Sequence, residues 1–154
     1  VSRRSGELLT LALEDVEENY DWVIVDCPPN LGNLMDNALL ATRNVLIPAL
    51  AEATSKRAVE LLFDHIEALE VDYEIDIREV GVVINRIDVR KNQANEMVGW
   101  INTAFDGVPV FEVRERAAMQ KALEAGESLT AFDPESDIVA VFDDIAASLE
   151  GQYE

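Results

Sequence analysis

Residues 20–29, Tyr-Asp-Trp-Val-Ile-Val-Asp-Cys-Pro-Pro, constrain this chain more than any other stretch. An apolar, β-branched run stopped by a breaker predicts a strand over Trp22–Asp26, buried on both faces of a parallel sheet. Pro28 and Pro29 cannot continue a ladder, so the chain must turn there. Asp26 is thereby delivered to the carboxyl end of its strand, the edge at which ligands bind in open α/β sheets. A carboxylate there is costly unless it is paired or beside a metal ion. Asp26 is therefore a candidate metal-site residue; the plainer reading is an aspartate that caps the turn.

The remainder alternates helical and strand-like patterns. Helices are expected over Glu7–Glu18, over Leu34–Thr42 with Asn30 or Asn33 as cap, and over Ser55–Glu70 with Thr54 or Ser55 as cap. Further helices are expected over Asn92–Phe105, over Glu115–Ala125 with Gly126 as the stop, and from Asp133–Ser136 to about Leu149. Strands are expected over Asn44–Pro48, Glu79–Asn85 and Val108–Phe111. Such alternation predicts an α/β fold: a three-layer, mostly parallel sheet with helices on both faces and right-handed crossovers. With 154 residues, one domain over 1–154 is expected.

Charge narrows the setting. Twelve basic residues face 31 acidic ones, a formal charge of −19. Such self-repulsion suits a salty cytoplasm, where screening is short-ranged, and points to a halophilic source. Cys27 is the only cysteine, which excludes an internal disulfide. No apolar run approaches the ~20 residues that span a bilayer, and the first six residues do not read as a secretory signal, so a cytoplasmic location is expected. The window from Arg86 to Lys121 holds six basic and five acidic residues, whereas the rest of the chain holds six and 26. Arg90, Lys91, Arg114, Arg116 and Lys121 are therefore candidate contacts to the phosphates of DNA, although arginines in such a window also pair with nearby carboxylates.

The strand-Asp-Pro-Pro layout is that of a Walker B strand, whose aspartate holds a nucleotide-bound magnesium ion. The match extends further. Val23-Ile-Val-Asp-Cys-Pro-Pro-Asn-Leu-Gly, the Asn37-Ala-Leu of the next helix and Asn44-Val-Leu-Ile-Pro resemble the ParA/MinD family of deviant-Walker ATPases, and so do Glu52, Asn85-Arg86-Ile87-Asp88, Ala122–Gly126 and Phe132–Ser136. The resemblance covers nearly the whole chain, but only the C-terminal half or more of a family member.

It implies ATP and Mg²⁺ as cofactors, with Asp26 organising magnesium and the attacking water. Cys27–Gly32, including Pro28, Pro29 and Gly32, is then the loop that senses the γ-phosphate. Asn30 stands where the family more often has Ser. Asn85 and Arg86, with Val113 and Arg114, fall on the adenine side. An Asn offers a donor and an acceptor to a purine edge, although it equally satisfies loop backbone. The segment is also similar to the guanine-reading N-K-x-D of GTPases. Arg114 occupies the place of a family Pro, so the fixed φ of that loop is lost.

The glycine- and lysine-bearing phosphate loop is missing from the sequence: three lysines exist, none in a glycine-rich run. That loop supplies the electrostatic stabilisation of phosphoryl transfer, so this chain by itself is not expected to hydrolyse ATP. The function implied is a ParA-like partition ATPase: an ATP-dependent homodimer, nonspecific DNA binding and release by a ParB-like partner. A MinD-like positioning ATPase is the rival within the same family. Its members usually end in a basic amphipathic membrane helix, whereas this chain ends in acidic residues, Ser148 to Glu154. Two rivals come from outside these roles: a non-enzymatic interaction module, and a metabolic relative of the cobyrinate-amidating type.

Overall fold

A computed structural model describes residues 7–28 and 30–153, grouped in two compact units: Val1–Val45 with Glu60–Arg78, and Leu46–Val59 with Glu79–Glu154. Along the chain the elements are α1 (Leu8–Glu14), a 3-10 turn (Glu17–Asn19), α2 (Asn33–Thr42), β1 (Asn44–Leu50), α3 (Ala53–Tyr73), β2 (Arg78–Ile87), α4 (Asn92–Ala104), β3 (Val110–Arg114), α5 (Ala117–Ala125), α6 (Leu129–Phe132) and α7 (Asp137–Gly151). The sheet runs β1-β2-β3, and β2 pairs with β3 in parallel. A helix separates each strand from the next, as parallel pairing requires.

In the first unit, α2 and α3 bury Leu39, Ile66 and Leu69 together with Ile77. The spacing Ile66, Leu69, Tyr73 keeps one face of α3 on that cluster. The α3 helix starts at Ala53, so Thr54 and Ser55 lie inside its first turn rather than at the cap. Gly32 holds the N-cap position of α2, with no side-chain cap bond from it; its carbonyl accepts the Asp36 N–H at 2.9 Å. The expected Asn caps are thus displaced, Asn33 being the first helical residue. Farther along α2, Asp36 accepts a 2.6 Å bond from His65 of α3, both side chains about a quarter exposed.

In the second unit the centre of the sheet is dry: Val82 and Ile84 are 0% exposed and Val113 1%. Gly81 permits that packing. A Cβ there would lie 3.0 Å from Leu46 Cδ1 and 3.2 Å from Phe111 Cε2. Val113, Ala122, Leu129, Ile138 and Val139 form one cluster, which joins β3 to α5, α6 and α7. Gly126, at φ 70°, ends α5 in the left-handed region, and Glu127 N–H reaches the Ala122 carbonyl at 3.0 Å, a Schellman-type close. The α6 turn, capped by Ser128 Oγ, was not legible in the pattern. The third strand begins two residues later than expected, at Val110.

The largest departure concerns residues 22–26. They form no strand: residues 22–28 run without helix, turn or ladder, Ile24 is 89% exposed and Val23 39%. The apolar run has the composition of a doubly buried strand, but no described strand pairs with it. A ladder needs a neighbouring strand to pair with, and composition cannot supply one. No helix among the described residues is long and apolar enough to cross a membrane.

Candidate functional site

Each strand of the second unit ends at a cleft of about 290 Å³. Ala51–Thr54 follow β1 and open α3. Arg86 and Asp88 lie at the end of β2, Lys91, Gln93 and Ala94 open α4, and Glu115 follows β3. This is the carboxyl edge at which α/β sheets bind ligands.

Its geometry starts from an irregularity. The β2–β3 register is broken between Ile84 and Ile87, so Asn85 and Arg86 form a bulge. Arg86 has φ 57°, a left-handed conformation that an L side chain rarely adopts. Asn85 Oδ1 stabilises it by accepting the Arg86 N–H at 2.8 Å. Bulges re-aim side chains next to sites, and a strained non-glycine residue marks a place where function and fold compete. Arg86 lines the cleft and faces Glu115 at 3.5 Å.

Asp88 is the hub of the next turn. Its Oδ1 accepts from Arg90 Nε at 2.8 Å and from Arg90 N–H at 3.2 Å; its Oδ2 accepts from Arg90 Nη2 at 3.0 Å and lies 4.0 Å from Lys91 Nζ. The hydrogen bonds from the Arg90 guanidinium, then that from its backbone N–H, hold the carboxyl at about 2 rather than 3.8. Asp88 therefore stays ionised through the working range, and Arg90 takes three of its roughly four acceptor positions. A guanine-reading aspartate, by contrast, must leave those positions open to the base.

The cleft thus gathers Arg86 and Lys91 with Glu52, Asp88 and Glu115, a mixed-charge rim. Val113 is buried at 1% exposure behind it, and Arg114 is exposed at the end of β3, opposite Ile87. Asn85 is exposed, with its oxygen engaged locally. The candidate DNA contacts are mostly paired. Arg90 and Lys91 face Asp88, and Arg116 holds Asp137, its Nε donating at 2.8 Å. That pair lowers the Asp137 carboxyl and raises the Arg116 guanidinium from their ordinary values, the hydrogen bond being the chief cause. Arg114 and Lys121 make no ion pair within 4 Å among the described residues, although Arg114 stands near enough to Asp137 to help lower its carboxyl.

Asp26, Pro28 and Gly32 belong to the first unit; Pro29 lies outside the described residues. Asp26 is exposed at the end of its apolar run. No cluster of three metal-ligating side chains occurs among the described residues. Cys27 is half-buried, and burial, then the nearby Asp26, pushes its thiol upward. Sequence reasoning placed Glu52 in the motif without a role and passed over Gln93 and Glu115. The signal that finds them is position: each follows a strand end or opens the next helix.

The chain is similar to known proteins in both sequence and fold. Residues 2–79 match the AAA domain family (AAA_31). It is 30% identical over 139 residues to the sporulation initiation inhibitor protein Soj of Bacillus subtilis, covering 90% of this chain and 55% of Soj. It is 32% identical over 144 residues to the cell division protein PomZ of Myxococcus xanthus, covering 90% and 45%. The chain spans about half the length of these curated relatives. Apo McdA of Cyanothece shares the fold, with a TM-score of 0.83 over 94% of this chain and 59% of McdA, at 19% identity. The family match covers half of the chain, and this chain therefore belongs to the AAA domain family (AAA_31).

Proposed function

We propose that the chain is the C-terminal portion of a ParA-like partition ATPase, an ATP- and Mg²⁺-dependent switch from a halophile. In this reading Asp26 positions magnesium and the attacking water, and Cys27–Gly32, with Pro28, Pro29 and Gly32, senses the γ-phosphate. Asn85, Arg86, Val113 and Arg114 form the adenine side. ATP closes a homodimer in the cytoplasm, the dimer meets nucleoid DNA without sequence preference, and a ParB-like partner triggers release.

The observation that carries this reading is the cleft at the strand ends, with Arg86 turned into it by a left-handed bulge. The occupied acceptors of Asp88 favour adenine over guanine. The likeness to Soj and PomZ supports this reading. Among the DNA candidates, Arg114 and Lys121 carry most of the contact, because Arg90, Lys91 and Arg116 are engaged with carboxylates.

Hydrolysis needs a phosphate loop, and the sequence of this chain holds none. The test is a titration of a fluorescent ATP analogue, with and without magnesium, into this chain and into the chain joined to a glycine-lysine phosphate-loop unit. Binding that is tight and metal-dependent only in the joined protein is expected. Asp26→Asn there should abolish hydrolysis and leave binding. Tight metal-dependent binding by this chain alone would refute the requirement for the loop.

A further inference from the structure

Arg116 is one of the cations that the sequence offers to DNA phosphates, yet its side chain is committed within the second unit. Nε donates to Asp137 Oδ1 at 2.8 Å and Nη2 pairs with Asp137 Oδ2, the two-pronged geometry that makes Arg–carboxylate pairs strong. The remaining arm, Nη1, donates to the Glu115 carbonyl at 3.2 Å. The far end of this link is fixed. Asp137 opens α7, and the next two residues, Ile138 and Val139, are buried in the cluster that holds Val113, Ala122 and Leu129. A carboxylate in the first turn also suits the positive end of the helix dipole.

Glu115 is held from its other side too. Its N–H donates to the Ile87 carbonyl at 3.0 Å, just past the register shift of β2. With both backbone groups bound, the direction of the side chain is set, and its carboxylate stands 3.5 Å from Arg86 Nη2 at the cleft. Half or more of each of these two side chains is exposed. So loose a pair does not fix its own geometry; the fixed groups lie behind it. We propose that Arg116 is a positioning residue of the cleft: clamped to α7 by Asp137, it holds the Glu115 carbonyl and thereby sets the Glu115–Arg86 wall that a ligand meets. The inference deepens the proposed function and rests on it for the identity of that ligand.

The first test uses the 154-residue chain and no nucleotide. Arg116→Gln should speed amide hydrogen exchange at Glu115 about tenfold, the usual effect of one hydrogen bond from a charged group, and should move the Arg86 amide resonance. Asp137→Asn leaves the arm to Glu115 but frees its anchor, and should do the same to a smaller extent. Arg116→Lys keeps the charge without the fork and should fall between the native chain and Arg116→Gln. Native exchange at Glu115 with an unmoved Arg86 resonance in Arg116→Gln overturns the inference.

The second test reads binding. In the chain joined to a phosphate-loop unit, Arg116→Gln should weaken the Mg-ATP analogue about tenfold while thermal unfolding moves by only a few degrees. A lowered melting temperature with undiminished binding would show the pair to be merely structural, and overturns the inference while the ATPase reading stands. A joined protein that binds no analogue, with Glu115 and Arg86 both disturbed by Arg116→Gln, sinks the ATPase reading and leaves the clamp.

Discussion

Val23-Ile24-Val25 and Val82-Val83-Ile84 are nearly the same tripeptide, and each is followed by an aspartate within a few residues. Their fates differ. The second run lies in the central strand, with Val82 and Ile84 wholly buried and Val82, Val83 and Ile84 in register with Val110, Phe111 and Glu112. The first run is exposed and unladdered. A continuous β-branched run therefore encodes a demand for neighbours on two faces and two edges. Whether that demand is met depends on what else the polypeptide offers.

The sharpest way to break the comparison is to truncate one isoleucine in each run. Ile84→Ala removes a fully buried side chain from a close-packed layer and should cost about 2–5 kcal/mol. Ile24→Ala should change stability by no more than about 0.5 kcal/mol. Urea unfolding of both variants decides the matter. Similar losses would mean that the first run is packed in solution after all.

Much of the second unit was legible in advance because its local signals and its packing agree. Gly126 stops α5, and in the first unit the helical spacing on α3 meets the core it implies. What was not legible depends on pairing. The extension of β2 to Ile87 crosses a register shift that alternation does not encode. The bulge at Asn85-Arg86 decides which side chain enters the cleft, and it leaves no mark in hydropathy. Residues 22–26 misled for the opposite reason: their local signal is strong, and the ladder that would satisfy it is missing from the described residues.

Arg86 sharpens the same comparison, because here a well-packed strand tolerates a strained residue. Left-handed backbone costs an L residue roughly 1–2 kcal/mol relative to glycine, and glycine returns part of that through greater freedom when unfolded. Arg86→Gly should therefore stabilise the chain by at most about 1 kcal/mol in thermal or urea unfolding. It should weaken Mg-ATP analogue binding to the phosphate-loop-joined protein. A variant that is more stable and binds undiminished would show the strain to be idle.

The smallest expected effect contrasts the two aspartates that follow the two runs. Asp26 stands exposed after its run, whereas Asp88 is held by Arg90 and Lys91 with its side chain only 13% exposed. The folded carboxyl of Asp88, at about 2, lies below its ordinary 3.8. A depressed carboxyl favours the folded state whenever it is ionised. Its contribution is therefore complete above pH 3.8, declines as the pH falls toward 2, and is gone below that. Carbon-detected NMR titration of the Asp88 carboxyl should place its midpoint near 2, and Arg90→Gln should move it back toward 3.8, because the guanidinium hydrogen bonds are the chief cause of the depression. The exposed position of Arg90 keeps the loss of stability small, so the midpoint is the more sensitive readout. An unchanged midpoint in Arg90→Gln would mean that the backbone N–H alone holds the carboxylate, and that the loop after β2 owes its order to the bulge rather than to the ion pair.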